Sequence, residues 1–339
     1  MRILVTGGAG FIGSHYVRTL LDGGYPGYED AQVTVVDKLT YAGNLANLPA
    51  RHPRLEFVRA DINDRVRMHA LAKGQDEIVH FAAESHVDRS LLGAAEFIRT
   101  NVLGTQSVLD AALQAGVGRV VHVSTDEVYG SITDGSWSED WPLAPNSPYA
   151  ASKAGSDLIA RAYAQTHGLD VRITRCSNNY GPYQHAEKLV PLFVISLLEG
   201  RSVPLYGDGT NVREWVHVDD HCRGIQLVLT RGRPGEIYNI GGGTDLSNLR
   251  MTETLLDLCG ADWSSVRRVA DRKGHDLRYS LDDSKIREQL GYRPQIPFER
   301  GIAETVHWYR SHPDWWRPLA AGSSAAAASA PAADKGTLR

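Results

Sequence analysis

Two short runs of side chains in this chain could do acid–base chemistry: Thr125-Asp126-Glu127, and Tyr149 with Lys153 four residues on. Adjacent carboxylates that converge on one site cannot both ionise freely, so one pKa rises and an acid is left beside a base. Tyrosine is a poor base at its ordinary pKa of about 10, but a nearby ammonium favours the phenolate. If a helix begins after Ser147-Pro148, the i,i+4 spacing sets phenol and ammonium on one face. The carboxylates ask more of the backbone. Neighbours on an ideal strand face opposite ways, so the pair works only if the strand ends at Thr125; otherwise one of the two is a solvated loop charge.

A third run, Gly7-Gly8-Ala9-Gly10-Phe11-Ile12-Gly13, follows the first apolar stretch and opens a helix. Backbone at Gly7 and Gly10 can approach a pyrophosphate, and negative charge is favoured at that helix N-terminus. Asp37 closes the second apolar stretch, slightly beyond the roughly 20-residue offset of a ribose-binding carboxylate. It would accept hydrogen bonds from an adenosine ribose and repel a 2′-phosphate, which favours NAD over NADP. Adjacent Lys38 softens that preference.

These groups need a scaffold, and the pattern around them supplies one. Strand-length apolar runs at residues 3–6, 33–36, 55–58, 78–81, 120–123 and 171–174 alternate with turns and helical periodicity, notably over residues 96–115. Such alternation predicts an α/β fold with a Rossmann-like, doubly wound parallel sheet, which binds ligands at the carboxyl ends of its strands. Residues 1–180 are expected to form the NAD-binding domain, with some later segments returning to it. From residue 181 the rhythm becomes irregular, which points to a second, smaller lobe over residues 181–319. Residues 320–339, rich in Ala and Ser, are expected to be a disordered tail.

Composition narrows the field. The 339 residues are 42% hydrophobic and 22% charged, which suits a packed core, and a net charge of −4 argues against a nucleic-acid partner. Cys176, Cys222 and Cys259 lie far apart with no CxxC, so neither a disulfide framework nor a metal site is expected. Met1 runs straight into a strand with no leader-like segment, and every apolar stretch is too short to span a membrane, so a cytoplasmic protein is expected.

The Gly-x-x-Gly-x-x-Gly spacing resembles that of the extended short-chain dehydrogenase/reductase family. By that resemblance Lys38, Leu39, Thr40, Asp61, Ile62, Phe81, Ala82, Ala83, Ser85 and Thr100 join the cofactor contacts. The runs TDEVYG, YAASK, CSNNYGPYQHAEKL and DRKGHDLRYSLD, in that order, make residues 1–316 similar to the thymidine-diphosphate-glucose 4,6-dehydratases. The similarity implies Tyr149 as the base that takes the 4-hydroxyl proton while hydride passes from C4 to a tightly held NAD, with Thr125 hydrogen-bonding O4 and Lys153 as activator. It implies Glu127 as the base at C5, Asp126 as the acid for the departing 6-hydroxyl, and return of the hydride to C6. It also implies Ser85 and Asn178 at the substrate and Asn179 near the nicotinamide. Lys188, Leu189, Pro204, Leu205, Tyr206, Arg213, Asn248, Asp271, Arg272, Lys273, Gly274 and His275 would surround the nucleotide diphosphate, with Arg213 and Arg272 as phosphate forks.

Three departures from the family pattern stand out: Lys273 where many relatives have proline, Glu214 in an Arg-Asp-Trp motif, and residues 25–31, which look like an extra surface loop. Family likeness also implies a homodimer paired through helices of the dinucleotide domain. A nucleotide-sugar 4-epimerase would share Tyr149 and Lys153 but need no elimination pair. Decarboxylases and GDP-mannose dehydratases typically carry Ser in place of Asp126. An NAD-binding redox sensor without turnover would lack the tyrosine, the lysine or the acidic pair.

Overall fold

The computed structural model describes the backbone of residues 1–271 and 274–328 and the side chains as far as residue 320. Among the described residues twelve strands run in chain order: β1 Arg2–Thr6, β2 Gln32–Asp37, β3 Leu55–Arg59, β4 Glu77–His80, β5 Arg119–Thr125, β6 Val171–Cys176, β7 Asn178–Tyr180, β8 Val203–Tyr206, β9 Val212–His217, β10 Ile237–Ile240, β11 Thr244–Ser247 and β12 Val266–Val269. Seven make one sheet in the order β10-β6-β5-β4-β1-β2-β3, every pairing parallel. Parallel strands are covered on both faces, which is why they read as unbroken Val, Ile and Leu. Ile3 and Val5 face a core filled by Tyr16, Ile225 and Ile286. Leu4 faces the other way, onto Met68, Val108 and Ala160.

This is a Rossmann-like doubly wound sheet. The strand order reverses between β1 and β4, and the crevice outside the carboxyl ends of that pair is where such sheets take ligands. β10, four apolar-rich residues before Gly241, joins at the edge beside β6. Two small sheets, β11-β9-β7 and β12-β8, belong to the later part of the chain. Their core gathers Val190, Phe193, Trp215, Leu255 and Tyr309.

The structure departs from the sequence pattern in one place that matters to the site. The helical stretch over residues 96–115 is interrupted: Ala94–Phe97 and Thr105–Ala115 are α-helical, but Ile98–Gly104 is a π-helix. Such insertions gather at functional sites. Here the π-helix places Asn101 so that its amide bonds both backbone groups of Glu84 and the hydroxyl of Ser152. Residues 25–31 form a surface loop, with Pro26, Gly27, Glu29 and Asp30 exposed, but it is pinned by three buried side chains. Tyr25, Tyr28 and Ala31 are buried, Tyr25 packs on Tyr16 at 5.3 Å, and the Tyr28 hydroxyl donates to the Glu77 carboxylate at 2.9 Å. Two tyrosines in seven residues were the overlooked apolar signal.

The last helix, Pro313–Ala328, carries helical backbone into the Ala/Ser segment, in keeping with alanine's propensity. Residues 329–339 lie outside the described residues. No described helix is long and apolar enough to cross a membrane.

Candidate active site

β5 ends at Thr125, and residues Asp126–Tyr129 form a 3-10 turn. The pleat therefore stops where the acidic pair begins, and Thr125, Asp126 and Glu127 all line one cleft. Thr125 caps the turn: its Oγ1 accepts from the Glu127 backbone N–H at 3.2 Å and donates to Asp126 Oδ1 at 3.2 Å. Burial, followed by the charges of Glu127 and Glu214, holds the Asp126 carboxyl well above the ordinary carboxylate range. Asp126 Oδ2 is buried with no hydrogen-bond partner, as a carboxylic O–H awaiting an acceptor would be. Glu127 is only half-buried. The two neighbours thus differ as an acid and a base must.

Tyr149 and Lys153 stand in the first turns of the helix Pro148–His167, which Ser147 caps by accepting from the Ala150 N–H at 3.0 Å, with Pro at the first position. Lys153 Nζ donates to the Val123 carbonyl at 2.8 Å, and burial brings its pKa down to about 8. Tyr149 does not by itself show the lowered pKa expected of it. Burial, then Glu127, pushes the phenol well above its ordinary value, and the Thr125 hydroxyl pulls the other way. Beneath the pair, Asp157 takes Arg175 Nε at 2.9 Å and lies 3.3 Å from His122 Nε2. Although burial works against it, His122 and Arg175 hold Asp157 down to about 2.

The glycine turn fits a dinucleotide for a steric reason. Gly7 has φ +69°, and a Cβ there would sit 2.6 Å from the Ala82 nitrogen; a Cβ on Gly13 would sit 2.4 Å from the Gly7 carbonyl oxygen. Gly10 caps the helix Phe11–Leu21 with no side-chain hydrogen bond, so the helix N-terminus presents bare backbone N–H groups to the cleft. Asp37 accepts from the Ala9 and Leu39 N–H groups at 3.0 and 2.8 Å, and Lys38 is tied to Asp61 at 2.8 Å. Gly7, Gly10, Phe11, Ile12, Gly13, Asp37, Lys38, Thr40, Asp61, Ile62, Phe81, Ala82, Ala83, Ser85, Thr100, Tyr149, Lys153 and Asn179 all line this cleft. Leu39 does not, although its φ of +58° bends the loop.

A second cleft is lined by Lys188, Leu189, Pro204, Leu205, Tyr206, Arg213, Asn248, Gly274 and His275, and it meets the first at His86, Glu127, Asn178 and Lys188. Asp271 lies apart from that lining and holds His275 Nδ1 at 2.6 Å. Arg272 and Lys273 lie outside the described residues. Arg213 is clamped by the carbonyls of Val212 and Asp276 at 2.7 and 2.9 Å and stacks on Tyr279 at 4.1 Å. Glu214 turns away from the clefts: its carboxylate takes the backbone N–H groups of Gly242, Gly243 and Leu281, while burial raises its pKa to about 7.

Tyr41, His86 and His185 also line the first cleft and escaped the sequence reading. Around them, Arg89 grips Glu187 at 2.6 and 3.0 Å and lies 4.1 Å over the Tyr41 ring, joining the dinucleotide domain to the later lobe. Only the aromatic and basic character of residues 183–188 hinted at this contact.

Comparison with known proteins adds a second line of argument. A family model described as GDP-mannose 4,6 dehydratase matches residues 4–305. A dTDP-glucose 4,6-dehydratase of Streptomyces antibioticus is 62% identical over 320 residues, covering 94% of this chain and 95% of that protein. The crystal structure of DesIV, a dTDP-glucose 4,6-dehydratase from Streptomyces venezuelae with NAD and TYD bound, superposes with a TM-score of 0.93 at 68% identity, covering 94% of this chain and 100% of that one. A UDP-glucose 4-epimerase of Thermotoga maritima, solved with UDP-glucose, is more distant: 32% identity, a TM-score of 0.84, and coverage of 92% and 99%.

Proposed function

The chain belongs to the GDP-mannose 4,6-dehydratase family, and on that premise we infer that it converts dTDP-glucose to dTDP-4-keto-6-deoxyglucose as an NAD-dependent hydro-lyase. The observation that carries this reading is the acidic pair: β5 ends at Thr125, so Asp126 and Glu127 both reach the cleft that holds Tyr149. An epimerase has no use for an acid held protonated beside a base.

Bound NAD supplies the hydride acceptor for C4, the hydride donor for C6, and a positive ring charge that opposes the upward push on the phenol. Gly7, Gly10 and Gly13 would bring backbone to the pyrophosphate, and Asp37 would take the ribose. Tyr149 takes the 4-hydroxyl proton, and Thr125 orients O4. The ketone at C4 acidifies H5, which Glu127 removes. Asp126 gives its proton to the 6-hydroxyl, which leaves as water, and Glu127 returns a proton to C5. Lys188, Tyr206, Arg213, Asn248 and His275 would enclose the nucleotide diphosphate.

Exposed Leu103 and Leu158, on neighbouring helical segments of the dinucleotide domain, support a homodimer. Unpaired thiols, together with a substrate and cofactor of the cell interior, support a cytoplasmic location. The deciding experiment is mass spectrometry of dTDP-glucose incubated with the purified protein and no added NAD. A product lighter by one water is expected; an unchanged mass with an altered sugar would point to the epimerase instead.

A further inference from the structure

We propose that Asn47 and Trp315 are positioning residues for the bound dinucleotide, fastening the C-terminal helix to the glycine turn and slowing cofactor release. Asn47 lies outside the cleft lining, at the end of the 3-10 turn Leu45–Asn47, and is only 2% exposed. Its Nδ2 donates to the carbonyl of Ala9, inside the glycine turn, at 2.9 Å. Its Oδ1 accepts from the indole Nε1–H of Trp315 at 2.8 Å, across 268 residues of sequence. An amide has one donating and one accepting end, and here each is matched: reversing it would face NH2 against the indole N–H. Ala9 is a fitting point of attachment. Its N–H donates to Asp37 at 3.0 Å, so the ribose carboxylate and the phosphate turn are held through one residue.

A second tie runs in parallel. Arg18, on the helix that the glycine turn opens, donates to the Asn47 carbonyl at 2.5 Å and to Ser14 Oγ at 3.1 Å. Its guanidinium lies 4.1 Å from the Tyr183 ring centre. That ring packs against Trp308 at 4.5 Å and Trp315 at 5.5 Å. Tyr183 holds φ +68°, a conformation a tyrosine keeps only where its neighbours enforce it. The C-terminal aromatic block thus grips the turn from two sides. With Asn47 buried, water replaces a lost partner poorly. Loosening the link leaves the Ala9 carbonyl to the Asn44 N–H alone, at 3.0 Å, so that it can shift and misalign the backbone donors of residues 10–13.

The inference rests on the reading of the glycine turn as the NAD site, and its test follows NAD itself. Wild type, Asn47→Ala, Trp315→Phe and the double variant are purified as holoprotein; bound NAD is counted after heat release, its dissociation is followed by exchange against labelled NAD, and melting temperatures are recorded. Trp315→Phe keeps the aromatic packing and loses one hydrogen bond, so release should quicken about fivefold. Asn47→Ala should quicken it about tenfold or more, and the double variant should be no faster than Asn47→Ala, because the indole reaches the turn through that amide. A purely structural role would lower the melting temperature and leave release from folded protein unchanged, which would overturn the proposal. Additive effects in the double variant would also overturn it. Should Asn47→Ala fail to fold, Trp315→Phe decides by its release rate alone. Wild type devoid of NAD would instead sink the cofactor reading.

Discussion

Burial, then Glu127 and Glu214, favours the protonated form of Asp126, so Asp126→Asn removes the proposed proton donor with little change in shape. Loss of water should fall by about 10²- to 10⁴-fold, the usual worth of a positioned acid. Oxidation at C4 and proton removal at C5 should persist. In deuterated water the variant should return unreacted substrate carrying deuterium at C5, visible by mass spectrometry; wild-type turnover would refute the assigned role. The sign of the pH dependence follows. Asp126 acts while protonated, so water loss in the wild type should decline as pH rises through its raised pKa. Types and spacing made this pair legible in the sequence, while the division of labour came only from the family resemblance. Neighbouring carboxylates look alike until burial separates them.

At the scale of elements, the capped start of the helix Pro148–His167 was legible because the Ser-Pro signal is local, whereas the end of β5 at Thr125 was a condition that only the structure met. What stayed hidden depends on distant packing. The π-helix Ile98–Gly104 satisfies Asn101, Glu84 and Ser152 together, and no window of sequence contains all three. Glu214 is a similar case, a departure from the family motif whose purpose is three backbone N–H groups on two separate loops. Its pKa rises from 4.5 to about 7. The folded state therefore binds more protons than the unfolded one between those values, and stability is lost as pH rises through that window, on the order of 3 kcal/mol in all. Wild type should lose melting temperature more steeply than Glu214→Gln between pH 5 and pH 8. Equal slopes would show that Glu214 titrates elsewhere.

For the whole molecule, the two clefts meet at His86, Glu127, Asn178 and Lys188, so the proposed sugar and cofactor sites converge where the chain's early and late halves touch. Sequence rhythm separated those halves but missed the contacts across them, such as Arg89 with Glu187, since ion pairs between distant residues leave no periodic trace. The proposed homodimer would cover the apolar positions Leu103 and Leu158, 56% and 55% exposed. Leu103→Glu with Leu158→Glu should convert a dimer to a monomer in analytical ultracentrifugation; an unchanged mass would put the interface elsewhere. The three cysteines have a practical consequence. Cys176 and Cys222 are buried and their thiols are pushed far up, while burial lifts Cys259 to about 11. At neutral pH hardly any thiolate exists to react, so iodoacetamide should leave the native protein unmodified, and a cysteine introduced on its surface could carry a fluorophore at one chosen place without first removing the native three.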